Sequence, residues 1–354
     1  MKTDYTVREY REGDEIQIND LFNNVFTENR TLKDWEWKFK LNPVSDLNLV
    51  TVAESEGRIV GNYASMPMAL HYAGERILVG QPVDTFVHPY YRGTKILLDM
   101  FKRHEETYIM RGYIGGFGFP NRQAYVVGKR VLKYSDLLRL TTLHCRLNLR
   151  QSVKYRIKGL PSSLEKVIQK TSAKYYSMSF ARGVRGHNVI EGYIFDERVQ
   201  RLWDRVSRSF PILNIRDLPY LKWRYESAPS KKYHSIAIGN DEDINGYIVY
   251  KLREEGENCE GIIVDCLWDD DSALKSLVLA ALQRLTKGAV DYALWRLIKG
   301  TALHECVSQC GFQESGNAED IPVVYYLVTK HAELEKAVKD PNLWYFTHGD
   351  SDGI

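Results

Sequence analysis

The chain has 354 residues and a formal net charge of +2. This length predicts about two domains, and the lack of any apolar run of about 18 residues argues against a membrane-spanning helix. The N-terminus has no apolar signal-like stretch and the five cysteines are scattered, so we expect a reduced, cytoplasmic protein. We expect no metal site, because Cys306 and Cys310 lack further ligands at a workable spacing.

The positive charge is concentrated in the middle of the chain. Between Arg139 and Arg185 there are eleven lysines or arginines and one acid, Glu165, which gives +10 locally and −8 for the rest. Two interpretations stay open for residues 139–185. The segment is either a solvated helix and linker, or a surface for an anionic partner such as a nucleotide, a lipid headgroup or a nucleic acid.

Hydrophobic periodicity predicts strands and helices along the first part of the chain. In order, we predict a strand at 5–10, helices starting at Asp14 and Thr31, hairpins at 49–66 and 69–87, a helix at 94–110, a strand at 113–119, a helix at 121–131 and a strand at 137–145.

The remaining elements repeat much of this order. A capping box formed by Ser162 and Glu165 predicts the start of a basic helix in the connector. Further on we predict a strand at 187–195, helices at 197–206 and 218–225, a hairpin at 233–252, a strand at 261–268, a helix at 272–287, a strand at 292–297 and a helix at 302–310. Mostly antiparallel strands interrupted by helices predict an α+β fold.

Two copies of one motif indicate an internal repeat. Trp37-Lys38-Phe39, with Pro43 after it, matches Trp223-Arg224-Tyr225, with Pro229 after it, in the other half of the chain. Val83-Asp84 matches Val264-Asp265 at nearly the same separation. The repeat predicts two similarly built domains, at 1–145 and 187–354, with a connector at 146–186. We interpret both tryptophans as structural residues that pack a helix onto the sheet.

The segment from Val83 to Gly93 is the best candidate for a binding site. A strand runs into a loop with Arg92 and Gly93, and a helix follows at once. The first backbone N–H groups of a helix have no partner within it and the helix dipole favours anions there, so such a turn can bind a phosphate.

With the repeat, this segment resembles the GCN5-related N-acetyltransferase (GNAT) family, in a tandem arrangement of two domains, each with a mixed, mostly antiparallel sheet flanked by helices. Pro89-Tyr90-Tyr91-Arg92-Gly93 is similar to the family's pyrophosphate loop, and Asn121-Arg122-Gln123-Ala124 to its Asn-x-x-Ala helix. The resemblance implies transfer of an acetyl group from acetyl-CoA. It places acetyl-CoA against Phe86, Val87, Arg92, Gly93, Thr94, Lys95 and Asn121.

The sequence departs from the family pattern at several positions. Lys95 and Leu97 replace two loop glycines, and Gly128 stands where the family has its general-acid tyrosine. The second half has no Arg-Gly loop; three acids, Asp269 to Asp271, follow its strand instead. We therefore expect only the first half to bind CoA, while the second shapes the acceptor site.

Acyl transfer to an amine needs a base and a donor for the leaving thiolate. Asp84 and His88 are the candidate bases and Tyr125 is the candidate acid, each against a structural alternative: an ion pair, a turn cap and a core tyrosine. We expect the acceptor to be a small amine, with an amino sugar as one candidate. Two other functions stay open: a non-catalytic GNAT-fold binding protein, and an aminoacyl-tRNA-dependent transferase that holds RNA with the basic connector.

Overall fold

The computed structural model describes residues 4–184, 186–256, 258–316, 320–329 and 332–353. Its first part contains β1 (Thr6–Glu9), α1 (Asp14–Phe26), α2 (Leu32–Phe39), β2 (Val50–Ser55), β3 (Arg58–Tyr72), β4 (Glu75–Val87), α3 (Ile96–Arg111), β5 (Gly115–Gly118), α4 (Arg122–Arg130) and β6 (Ser135–Arg146). Two helices follow, α5 (Arg150–Arg156) and α6 (Ser162–Gly183).

The second part begins with β7 (Val189–Glu191), α7 (Glu197–Val206), β8 (Ile212–Asn214) and α8 (Leu218–Leu221), which continues as a π-helical turn, Lys222–Glu226. It goes on with β9 (Tyr233–Gly239), β10 (Ile244–Glu255), β11 (Asn258–Trp268), α9 (Asp271–Lys287), β12 (Tyr292–Ile298) and α10 (Ala302–Gln309). The last elements are β13 (Gln313–Glu314), β14 (Ile321–Leu327), α11 (Ala332–Ala337) and β15 (Trp344–Tyr345).

The strands form one mixed, mostly antiparallel sheet flanked by helices, which confirms the predicted fold class. Its order is β1-β2-β3-β4-β5-β14-β6-β12-β11-β10-β9-β7. The two halves of the chain exchange strands at its centre, because β14 lies between β5 and β6, and β6 also pairs with β12. The sheet therefore continues across the predicted boundary at residue 145, and the division into domains stays a prediction.

Two-residue turns set the register of the hairpins in the first half. Ala73 and Gly74 join β3 to β4 with φ angles of 50° and 89°, the left-handed conformation that tight hairpins use. The sequence predicts a break between residues 66 and 69, but β3 runs unbroken through Pro67. β14 was not predicted at all, although its run of Val, Tyr and Leu is typical of a strand.

The connector is tied to the second half by α6. Gly183 allows this close approach, since a Cβ atom there would lie 2.4 Å from Cδ1 of Leu279 on α9. The predicted capping box is wrong: the helix begins at Ser162 itself, and its cap residue, Pro161, has no side chain that can accept a hydrogen bond. Within the described part of the chain, no helix is long and apolar enough to cross a membrane.

Candidate functional site

The predicted binding segment lies where two parallel strands separate. β4 and β5 pair only at Gly80 and Gly116. A Cβ atom on Gly116 would lie 2.4 Å from the Gly80 carbonyl oxygen, so glycine is needed for this contact. Beyond it β4 pairs with β3 and β5 with β14. The carboxyl ends of parallel strands that part in this way form a crevice in which ligands bind.

The loop after β4 leads directly into the start of α3. Gly93 has a φ angle of 77°, and a Cβ there would meet no atom within 4 Å, so the backbone is open to a ligand. Arg92 Nε donates to the Val87 carbonyl oxygen at 3.3 Å, and Thr94 Oγ1 donates to the Tyr91 carbonyl oxygen at 2.7 Å. These two bonds hold the loop against the end of β4.

The N-terminus of α3 is only weakly capped, by Thr94 Oγ1, which accepts from the Ile96 N–H at 3.4 Å. Lys95 is the cap residue and its exposed side chain makes no capping hydrogen bond. A 16-residue helix with such a weak cap presents backbone N–H groups and the positive end of its dipole. With Arg92 and Lys95 beside it, this end of α3 is suited to a phosphate group.

Of the two predicted CoA contacts on β4, Phe86 and Val87, only Val87 has a side chain that a ligand can reach. Phe86 is buried and packs edge-on against Phe22 and Phe26 of α1, so its side chain belongs to the core. Val87 is half-buried at the end of β4. Asn121 is exposed and caps α4, since its Oδ1 accepts from the Ala124 N–H at 2.9 Å. All of these remain predicted CoA contacts, with Phe86 limited to its backbone.

Asp84 is buried in an ion-pair cluster on β4. Its side chain is 3% exposed and contacts Arg30 and Lys38, the latter at 3.2 Å. Burial raises the pKa of the carboxyl group, but Lys38 and Arg30 outweigh it and the net pKa is lowered. A carboxylate held in this way is a weak proton acceptor. Catalysis by Asp84 remains a prediction that the ion pairs disfavour.

The second half contains the same ion pair. Arg216 Nε contacts Asp265 Oδ1 at 2.9 Å. Arg216 follows Arg30 at the same spacing that separates the two tryptophan motifs, and Asp265 follows Asp84 at nearly that spacing. Because the pair recurs in the half that lacks an Arg-Gly loop, its presence does not by itself mark a CoA site. Neither arginine was predicted from the sequence, although the shared spacing marks both.

His88 lies at the turn between β4 and the short 3₁₀ helix Pro89–Tyr91. Its Nδ1 accepts from the Tyr90 N–H at 3.3 Å, and its ring stacks on that of Tyr90. A neutral ring with this bond carries its proton on Nε2. The structure therefore gives His88 a capping role, and its role as a base remains a prediction.

The predicted acid, Tyr125, lies on α4 near the surface. Its hydroxyl donates to Asp136 at 2.9 Å, and this bond raises its pKa. Gly128, one turn further along, has no room for a tyrosine, since a Cβ there would lie 2.9 Å from the Tyr134 ring. Tyr134 is buried and stacks on Tyr326 of β14. The departure at Gly128 is thus a consequence of core packing.

The corresponding crevice of the second half is filled by the C-terminal segment (residues 344–353). β11 and β12 pair as far as Ile263 and Trp295. Beyond that point the Tyr345 hydroxyl donates to the Cys266 carbonyl oxygen. A Cβ atom on Gly349 would lie 2.8 Å from the Val264 carbonyl oxygen. The next helix, α9, is also closed to anions, because Asp270 Oδ1 accepts from the Ser272 and Ala273 N–H groups.

The C-terminal segment also links the Asp84 cluster to a cavity of the second half. Asp352 contacts Lys38 at 3.3 Å, and its carbonyl oxygen accepts from Lys231 at 3.4 Å. Lys231 lines a cavity of 470 Å³ together with Tyr193, Phe195, Tyr225, Glu226 and Tyr233. Burial, with Arg224, Lys38 and Lys251 nearby, lowers the pKa of Lys231 to about 7.

No group of three or more potential metal-binding side chains occurs among the described residues. Cys145, Cys266 and Cys310 are buried as free thiols, and Cys259 and Cys306 are half-buried.

Residues 6–126 match the family model of the acetyltransferase (GNAT) domain. The match agrees with the sequence resemblance over this part of the chain. The family is one of acyltransferases, whose co-substrate class is acyl-CoA. No curated protein matches the sequence.

Several solved structures share the fold over 92% of this chain. A GCN5-related N-acetyltransferase from Anabaena variabilis is 12% identical, with 73% of its chain covered and a TM-score of 0.64. A probable N-acyltransferase from Enterococcus faecalis is 14% identical, with 73% covered and a TM-score of 0.65. Saccharomyces cerevisiae N-myristoyltransferase, solved with bound myristoyl-CoA, is 13% identical, with 83% covered and a TM-score of 0.56.

Proposed function

We propose that the protein transfers an acetyl group from acetyl-CoA to a primary amine and that its single CoA site lies in the first half. The observation that carries this proposal is the weakly capped start of α3, where Thr94 Oγ1 accepts one N–H at 3.4 Å, with Arg92, Gly93 and Lys95 at the open end of β4. The equivalent helix α9 is capped by Asp270. Asp270 accepts from two N–H groups at 2.7 and 2.9 Å, so of these two helix starts that of α3, with its cations, is better suited to a pyrophosphate.

In this proposal the reaction is a direct attack in a ternary complex. The neutral amine attacks the thioester carbonyl carbon, the carbon–sulfur bond breaks, and CoA leaves as a thiol after taking up a proton. The amine loses a proton as the amide forms. His88 and Asp84 are the candidate groups to receive it, directly or through water, and Tyr125 is the candidate donor to the thiolate.

The acceptor would bind in the 470 Å³ cavity of the second half. This position is supported by the chain of contacts from Asp84 through Lys38 and Asp352 to Lys231. Tyrosine rings and cationic groups line the approach, which suits a polar acceptor with a negative substituent. An amino sugar attached to a phosphate is the acceptor class that fits this chemistry, and it extends the proposal made from the sequence.

One observation favours the alternative of a binding protein without catalysis. Asp84 is paired with two cations, Arg30 and Lys38. Asp265, at the matching position of the second half, is paired with Arg216. The test is single-turnover conversion of acetyl-CoA to free thiol with a panel of amino sugars and simple amines. Acceptor-dependent thiol release supports the transferase. Tight acetyl-CoA binding with no thiol release from any amine of the panel supports the binding protein.

A further inference from the structure

The outer face of α6 has an unusual composition for a solvated helix. Four large apolar side chains lie along it at helical spacing: Leu164 is 50% exposed, Val167 57%, Tyr175 72% and Met178 52%. Their intervals of three, eight and three residues place them on one side of the helix. Isolated exposed apolar residues are ordinary, but a stripe of them along one helix marks an interaction surface.

Three cations lie on one side of this stripe, Lys174 nearest to it, then Lys170, with Lys166 further round the helix. Lys166, Lys170 and Lys174 are exposed and follow one another at intervals of four residues. The one acid of the helix, Glu165, is half-buried on the opposite flank and lies in the first turn. The exposed face thus combines apolar and basic side chains without an exposed carboxylate.

The opposite face of α6 is held by the body of the protein. Ala173 and Phe180 are buried, and Gly183 contacts Leu279. Gln169 Nε2 donates to the Ala289 carbonyl oxygen at 3.1 Å. The helix is therefore fixed in place with its apolar and basic face turned outward, along 22 residues or about 33 Å.

The segment before α6 also exposes apolar and basic side chains. Tyr155 is 87% exposed and Ile157 is also exposed, while Arg156 and Lys158 alternate with them. Exposed apolar and basic side chains thus continue along the chain beyond one helix, and the exposed charges of both segments are positive. A nucleic acid would use the cations, but it would leave the aliphatic stripe in water. Another protein would bury the apolar residues, but would have to pair each lysine.

We propose that α6 and the segment before it form a surface that binds an anionic lipid bilayer. Leu164, Val167, Tyr175 and Met178 would enter the boundary between headgroups and acyl chains, while the lysines contact the lipid phosphates. An interfacial helix of this kind lies flat in the plane of the membrane. The binding is peripheral, and it is independent of the transferase proposal.

Co-sedimentation of the full chain with vesicles tests the proposal. We expect binding to phosphatidylglycerol vesicles, weakening with added salt, and at least tenfold weaker binding to phosphatidylcholine vesicles. The triple variant K166E/K170E/K174E should bind phosphatidylglycerol vesicles roughly 100-fold more weakly. A matched reversal of exposed lysines elsewhere, K33E/K102E/K287E, should retain much more of the binding.

The apolar stripe is tested separately with V167S/M178S, which keeps the charge. This variant should lose roughly tenfold in vesicle affinity, with an unchanged circular dichroism spectrum and unchanged acetyl-CoA binding. Vesicle binding that is insensitive to V167S/M178S would overturn the proposal, since it would be purely electrostatic. So would α6-dependent binding of RNA or dimerisation without any vesicle binding.

Discussion

Trp37 and Trp223 bind each other reciprocally across the junction of the two halves. Trp37 Nε1 donates to the Trp223 carbonyl oxygen, and Trp223 Nε1 donates to that of Trp37, both at 2.8 Å. Their rings stack at 4.9 Å and 17°. This mutual arrangement is what a two-fold axis produces at an interface. The tryptophans are structural, as predicted, but they join the two repeats rather than packing a helix onto a sheet.

The reciprocal pair should couple the stabilities of the two halves. We expect W37F and W223F each to destabilise the protein, since each leaves a buried carbonyl group without its partner. The double variant should lower the free energy of unfolding by less than the sum of the two single losses, with a coupling free energy of about 0.5–1.5 kcal/mol. Urea unfolding of the four proteins measures this. Strictly additive losses would contradict the coupling.

Asp84 should contribute to stability as long as it is ionised. Asp84→Asn leaves Arg30 and Lys38 buried without their carboxylate, which should cost about 3–5 kcal/mol. Because the pKa of Asp84 is lowered in the folded state, this contribution is present at neutral pH and is lost as the pH falls below about 4. Urea unfolding at several pH values measures it.

The matched control for Asp84 is Asp136→Asn. Asp136 is 55% exposed and contacts Lys129 at 3.0 Å, so its removal should cost less than about 1 kcal/mol. Equal losses for the two variants would contradict a buried structural ion pair at Asp84.

Lys231 should destabilise the protein below neutral pH. Its folded pKa is about 7, below the usual 10.5, so the unfolded chain binds more protons between these values. The cost of burying the ammonium is therefore complete below pH 7 and fades as the pH rises toward 10.5. We expect Lys231→Met to increase the free energy of unfolding relative to the parent protein more at pH 6 than at pH 9.5.

The exposed neighbour Lys232 provides the control for Lys231. Lys232→Met should shift the free energy of unfolding by a similar small amount at both pH values. If Lys231→Met also behaves independently of pH, the lysine is not buried in the way described.

Much of the fold was accessible from the sequence, because local patterns specify most helices and hairpins. The repeated tryptophan motif predicts two similarly built halves, and that division stays a prediction. The exchange of β6 and β14 could not be predicted, since pairing between strands from opposite halves of the chain depends on tertiary packing that no local pattern records. β14 itself has the Val-, Tyr- and Leu-containing pattern of a strand.

The site was predicted in part. The loop from Arg92 to Lys95 lies at the open end of β4, as expected. The burial of Phe86 and the ion pairs of Asp84 depend on α1 and α2, which lie far away in the sequence. The C-terminal segment fills the second crevice through contacts such as that of Asp350 with Arg216 at 2.9 Å. Sequence spacing alone does not reveal such contacts.

The most direct test of the account is calorimetric titration with acetyl-CoA of the parent protein, Lys95→Glu and Lys102→Glu. Lys102 is exposed on the same helix, about 10 Å beyond its start, and serves as the charge-matched control. We predict one site per chain, lost in Lys95→Glu and kept in Lys102→Glu. Two sites, no binding to the parent protein, or equal effects of the two variants would contradict a single CoA site at the start of α3.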